Sequence, residues 1–413
     1  MTLFIYNILI SLTGLLLRIV ALFDKKIKLF VNGRKTVFAV LRQQIAPEDK
    51  VIWFHTASLG EFEQGLPVME KVKTEFPDHK ILVTFFSPSG YEVKKHSGAA
   101  DIITYLPLDT RRNAKKFLDL VHPELAVFVK YEFWPNYLHL LKKGSIQTIL
   151  ISAIFRRDQM FFKSYGGFMR RSLQTFARFF VQDERSGELL HNIGIARVTV
   201  SGDTRLDRVT EILHRDNTLD FMEPFHNGNL CFVAGSTWPE DEEILVDFIN
   251  NTTGEVKFVL APHNIKPAHN QALKKSIRKK SVLYSERQGK DLREYEVLIV
   301  DTIGILTKIY SYADMAYVGG GMGTTGLHNI LEPAVFGIPV IIGKNYGKFK
   351  EANELVALQG VLPVSGKDQF HKTLLQLTNN KEFRKETGQI NAAYIKKNRG
   401  AVIQILEFIR TLL

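Results

Sequence analysis

Hydrophobic and polar positions follow three regimes along the chain. Residues 1–17, MTLFIYNILISLTGLLL, carry no charge; Arg18 interrupts, and IVALF extends the apolar stretch to Phe23. Short β-rich runs then alternate with longer segments of helical period. VIWFHTAS (51–58), KILVTFFS (80–87), ELAVFVK (124–130) and TILISAIF (148–155) read as buried strands, with helix-length segments such as 61–76 and 111–121 between them. Residues 206–228 are polar and mixed, ending in His226-Asn227-Gly228-Asn229, and read as a linker. The pattern restarts with LCFVAGS (230–236), VKFVLAP (256–262), VLIVDT (297–302), MAYVGG (315–320) and PVIIG (339–343). The tail GAVIQILEFIRTLL (400–413) predicts one amphipathic helix.

Strands separated by helices predict βαβ units and parallel sheets. The fold class is therefore α/β, with two doubly wound Rossmann-like halves. In such sheets ligands bind outside the carboxyl ends of the strands, and with two halves the natural active site is the cleft between them. The expected organisation is an apolar helix over 1–23, one domain over 24–210, a second over 225–395, and a terminal helix over 396–413 that can pack back on the first domain.

Composition narrows the class. Apolar residues make up 45% of the 413 and charged residues 23%, which excludes a disordered chain. The single cysteine, Cys231, excludes a disulfide scaffold and a cysteine zinc cluster. With 54 basic against 43 acidic residues the net charge is +11, which favours an anionic partner. The first 23 residues approach the length of one bilayer span. No basic segment precedes them, which argues against a removable signal peptide. Lys25, Lys26, Lys28, Arg34 and Lys35 follow and keep the bulk of the protein in the cytoplasm. A spanning anchor, a helix lying in the interface and a helix packed on protein all fit this stretch. Residues 155–178 interleave six basic residues with six aromatics, a pattern that suits single-stranded nucleic acid or an anionic bilayer. Beside an apolar amino terminus the bilayer reading is the stronger.

Candidate chemistry gathers at strand ends. ADMAYVGGGMGTTGLHNILEPAVFGIPVIIG (313–343) places Gly319, Gly320 and Gly321 after a strand and opens a helix at HNILEP. Such glycines let backbone approach a phosphate, and a helix start offers free N–H groups. Glu332 can accept the hydroxyls of a ribose, or it is a solvated helix residue. HTASLGEFEQG (55–65) puts Glu61 near a helix start, where the positive end of the helix dipole keeps a carboxylate ionised. Glu61 is then a general base, or an ordinary first-turn acid. KYEFWPN (130–136) sets Glu132 beside the stiff Trp134-Pro135 corner. In VAGSTWPEDEEIL (233–245), Ser236 and Thr237 either bond a phosphate or cap a helix. APHNIKP (261–267) presents His263 after a strand.

Together these motifs resemble the 3-deoxy-D-manno-octulosonic acid (Kdo) transferases of lipopolysaccharide synthesis, of the GT-B class. HTASLGE is similar to the family's H-x-x-S-x-G-E, EFWPN to E-L-W-P-N, GDTRLD (202–207) to G-N-x-K-x-D, STWPEDEE to S-T-x-x-x-E-E, DTIGIL (301–306) to D-T-x-G-x-L, and TGLHNILEP (325–333) to G-G-H-N-x-L-E-P. The resemblance implies inverting transfer of Kdo from CMP-Kdo to an acylated lipid A precursor (lipid IVA) on the cytoplasmic face of the inner membrane. It implies Glu61 as proton acceptor, with Glu132 and Arg205 holding the acceptor or the developing charge. Nucleotide contacts fall on Ser236, Thr237, Pro262, His263, Ile303, Gly304, Ile305, Gly320, Gly321, Asn329, Ile330, Leu331 and Glu332. CMP is a monophosphate leaving group, so no metal and no further cofactor is expected, and no nucleic acid partner. The rival readings are a GT-B transferase using a UDP-sugar on a lipid-linked acceptor, and a non-catalytic membrane-bound nucleotide- or nucleic-acid-binding protein. The chain departs from the family pattern in Pro262-His263-Asn264 for Pro-Arg-His, in Lys130 for an acid, and in Arg205 for lysine.

Overall fold

Apolar runs that do not alternate with polar residues build both sheets, because a parallel sheet covered by helices on both faces buries every side chain. The computed structural model describes residues 2–253 and 256–413. It divides into one unit of the residues up to Asp207 with Arg399–Leu413, and a second of Arg208–Asn398.

The first unit carries β1 (Lys50–Thr56), β2 (His79–Phe85), β3 (Ile102–Tyr105), β4 (Leu125–Val129), β5 (Gln147–Ala153), β6 (Arg178–Val181) and β7 (Val198–Val200). Their order is β3-β2-β1-β4-β5-β6-β7, parallel throughout. The second carries β8 (Leu230–Thr237), β9 (Val256–Pro262), β10 (Ser281–Leu283), β11 (Val297–Ile299), β12 (Met315–Val318), β13 (Val340–Gly343) and β14 (Val361–Val364). Their order is β10-β11-β9-β8-β12-β13-β14, again parallel. Strand order reverses between β1 and β4 in the first sheet and between β8 and β12 in the second. Crevices for ligands open at such reversals.

Alternate residues of each strand feed opposite faces. Trp53, Phe128, Tyr137 and Phe176 share one core of the first unit. Phe54, Phe62, Phe85 and Ile151 share the other with Ile405 and Ile409 of the helix Ala401–Arg410. Asp207 accepts from the N–H groups of Gly400 (2.6 Å) and Val402 (3.2 Å), and Arg410 makes two 2.8 Å bonds to Glu75. The helix Lys381–Asn398 runs past the expected boundary at 396 before the chain enters the first unit.

Two expectations change. The supposed linker over 206–228 contains the helices Thr204–Ile212 and Met222–His226. Leu206, Val209 and Ile212, three residues apart, are buried on one helical stripe. In the 155–178 segment, Phe155, Phe161 and Phe176 lie in the core, so half of its aromatics are packing residues with no face for a base or a lipid.

The helix Leu3–Val20 has a mean hydropathy of 2.0 and no buried residue. It meets the first unit along one polar edge: Tyr6 donates to Asp109 (2.8 Å), Asn7 donates to Asn136 (3.1 Å), and the Arg111 N–H donates to Asn7 (2.8 Å). Phe4, Leu12, Leu15, Leu16 and Ile19 are exposed, Phe4 by 73%. The stretch is packed on protein along one half-buried stripe, Tyr6, Asn7, Ile10, Gly14 and Leu17, with the remaining faces open.

Candidate active site

Glu61 stands at the third position of the helix Leu59–Glu75, directly after β1. Its Oε2 accepts from the N–H groups of Ala57 (2.5 Å) and Ser58 (3.2 Å), the second being the carboxylate half of a capping box on Ser58. The side chain is buried. Burial first, then the charge of Glu132, push its carboxyl up to about 7, against the two N–H groups and the Lys130 charge, which pull it down. The expectation that the helix start keeps Glu61 ionised is thus corrected: desolvation outweighs the dipole.

Glu132 reaches Glu61 from β4, across the strand-order reversal. Its Oε2 lies 3.6 Å from Nε2 of the buried His55. The Trp134 indole N–H donates to the same nitrogen at 2.8 Å. An indole nitrogen only donates, so Nε2 of His55 accepts and Nδ1 carries the hydrogen, which it gives to Thr84 Oγ1 (2.9 Å). Thr84 also accepts from Trp53 (2.8 Å). Lys130, between β4 and Glu132, holds a left-handed backbone with φ of 71°, a costly conformation for a side chain with a Cβ. Its charge acts on Asp203 as well as on Glu61. Asp203 binds Arg205 through Nε (3.0 Å) and Nη2 (2.7 Å). Thr204 ties this corner to Ser152 (2.7 Å) and to the Gln64 carbonyl. The first unit therefore gathers Glu61, Glu132, Lys130 and the Asp203–Arg205 pair.

In the second unit Ser236 has a φ of 54° at the end of β8. Thr237 is buried and donates to Glu242 (3.1 Å). His263 follows Pro262; its ring stacks on Trp238 at 4.5 Å and lies 4.7 Å from His328, while Trp238 donates to His328 Nε2 at 3.1 Å. Burial and then His263 lower the His328 pKa. Ile303 is 80% exposed and Gly304 has a φ of 94°. Ile305 leads into the short helix Leu306–Ile309, from which Thr307 donates to Glu332 (3.3 Å). Asn329 donates to the other oxygen of Glu332 (3.1 Å), and burial raises the Glu332 carboxyl. The structure thus brings the 303–307 and 329–332 segments together.

The glycines have a different use from the one the sequence suggests. A Cβ on Gly319 would stand 2.3 Å from the Ser236 carbonyl, and one on Gly320 would stand 2.1 Å from the Gly326 carbonyl. The Gly320 N–H already donates to Asp241 (2.8 Å). Gly321 lies against Gly343. This cluster is small because backbone packs on backbone. The side chains of Ile330 and Leu331 are buried, leaving only their backbone to meet a ligand, and the helix there is short, Leu331–Ala334. Sequence reasoning passed over His55, Asp203 and Trp238, though each lies inside or beside a quoted motif. It also passed over Arg208, whose charge couples to Glu332.

Two doubly wound parallel sheets with their polar loops at the reversals of strand order are the architecture of the GT-B class. The solved UDP-GlcNAc 2-epimerase of Neisseria meningitidis shares this fold, with a TM-score of 0.61 over 88% of this chain and 100% of that one at 16% identity. Residues 33–208 match the model of the family described as "3-Deoxy-D-manno-octulosonic-acid transferase (kdotransferase)". The 3-deoxy-D-manno-octulosonic acid transferase of Haemophilus influenzae is 28% identical over 380 residues, 88% of this chain and 87% of that protein. That of Aquifex aeolicus is 29% identical over 360 residues, 84% and 92% of the two chains. By these matches the chain is a glycosyltransferase that carries the domain of the Kdo transferases.

Proposed function

We propose that the protein moves Kdo from CMP-Kdo to a lipid A precursor, lipid IVA, on the cytoplasmic face of the inner membrane, with inversion and with Glu61 as general base. The observation that carries this reading is the buried Glu61, poised at about 7 beside Glu132. A base whose pKa lies near the working pH is both deprotonated often enough and basic enough to take a proton. One Glu61 oxygen takes the proton of an acceptor sugar hydroxyl. The oxygen so freed attacks the anomeric carbon of Kdo, and the bond from that carbon to the phosphate oxygen breaks, its electron pair leaving with CMP. Glu132 and Arg205 hold the acceptor. The second unit takes the nucleotide on Ser236, Pro262 and His263, the 303–305 turn and Asn329 to Glu332, with fixed N–H groups standing for the charge neutralisation a diphosphate would ask of a metal. An anionic bilayer is the partner of the apolar, basic amino terminus.

The test is a product assay with purified protein, CMP-Kdo generated in situ and tetraacylated precursor, read by mass spectrometry. The expected result is a gain of one or more Kdo units, inhibited by CMP and not by UDP. Glu61→Gln should abolish the gain while CMP-Kdo binding persists. Transfer at the wild-type rate by Glu61→Gln would remove the base assignment, and no transfer with retained CMP binding would move the search to another acceptor.

A further inference from the structure

A groove of about 740 Å³ opens between the helix Leu3–Val20, the basic helix Lys25–Gly33 that follows it, and the turn after β3 at Pro107 and Leu108. That volume falls within the roughly 300–1,000 Å³ of small-molecule sites. Its walls divide by chemistry. Leu17, Phe30 and Leu108 present carbon, while Arg18, Lys28 and Lys35 bring positive charge, and no acidic residue lines it. These three cations are exposed, and among the described residues none has an ion-pair partner. Unpaired cations beside an apolar trough match an amphiphile that joins a phosphate to a hydrocarbon chain.

Arg34, also in the wall, has another task. It donates to the carbonyls of Leu106 (2.9 Å), Phe30 (3.0 Å) and Phe86 (2.7 Å), and its guanidinium lies 3.5 Å over the Phe30 ring. It is the fixed floor of the groove. From that floor a line of contacts leads to the carboxylates: Phe86 lies 4.6 Å from the Trp134 ring, and Trp134 bonds to His55 beside Glu132. Three cations exceed what the single negative charge of phosphatidylglycerol needs, and suit an acceptor whose phosphate monoester carries up to about two. We infer that the groove seats an acyl chain of the acylated, phosphorylated acceptor, with its phosphate on Arg18, Lys28 and Lys35. The inference rests on the acceptor proposed above.

Binding rather than turnover tests it. The full chain, saturated with CMP in non-ionic detergent, is titrated with tetraacylated bisphosphorylated diglucosamine and with its fully deacylated form. The wild type should prefer the acylated form; Leu17→Trp should cut that preference at least tenfold, and R18A/K28A/K35A, which removes the phosphate contacts both forms share, should weaken binding of the acylated form at least tenfold. The triple change touches only exposed side chains, and Leu17→Trp fills the trough with the charges intact. A preference unmoved by Leu17→Trp, or an affinity unmoved by R18A/K28A/K35A, overturns the proposal. So does displacement of the acylated ligand by phosphatidylglycerol, which would make the groove a seat for bulk lipid. The two losses together sustain the groove even where no Kdo is transferred, an outcome that would fault the reaction alone. Kdo transfer without acyl preference faults the groove alone.

Discussion

The proposed chemistry turns on one carboxyl, Glu61, held near neutrality by opposed neighbours. Burial and Glu132 raise Glu61, while Lys130 and two backbone N–H groups lower it. A general base works deprotonated, so the transfer rate should rise with pH through an acid limb centred near 7. Glu132→Gln deletes a like charge and should move that limb to lower pH; Lys130→Ala deletes an opposite charge and should move it higher. Rate profiles from pH 5 to 9 decide both, and an unmoved limb in both variants would detach these neighbours from the titration. Trp134→Phe leaves Nε2 of His55 without its donor while keeping an aromatic ring against Phe86, and should cost about 1–3 kcal/mol in the urea unfolding of the first unit. At this scale the sequence was half legible. HTASLGE placed Glu61 at a helix start, but its pKa depends on Glu132, some seventy residues further along and brought beside it only by β4 pairing with β1.

Elements with long apolar runs were readable, because a strand buried on both faces cannot disguise its composition. Nine of the runs became strands of the two sheets. β3, β6, β7, β10 and β14 went unforeseen: each has only three or four residues and lies toward a sheet edge, where composition relaxes. The glycine cluster misled for a different reason. A glycine demanded by backbone packing and one demanded by a phosphate are the same letter, and only the nearness of Ser236, Gly326 and Gly343 tells them apart. The helix Ala401–Arg410 declares its apolar face in its pattern. Its stripe of Val402, Ile405, Leu406 and Ile409 joins Phe62 and Ile81 in one core. Ile405→Ala should cost about 2–5 kcal/mol, and the loss should appear in the unfolding of the first unit. A change confined to the second unit would contradict the packing.

For the whole molecule, the net charge of +11 and the exposed apolar helix would hold the proposed bilayer partner by separate means. Apolar burial withstands salt, and attraction between surface charges does not. Full-length protein should float with phosphatidylglycerol vesicles even in about 0.5 M salt. A chain lacking residues 1–23 should float only at low salt, and equal flotation of the two at high salt would deny the helix its role. The order of synthesis adds a constraint of its own. The first unit is sewn from both sides of the second, with Asp207 fastening the helix that carries Ile405 and Ile409. Domains begin to fold as they emerge from the ribosome. The part of one sheet face that this helix covers must therefore stay bare while the whole second unit is translated, offering its apolar side chains to chaperones or to neighbouring chains. The half that is made first is finished last, and loss of the helix Ala401–Arg410 would injure the half whose message was read before the second unit's.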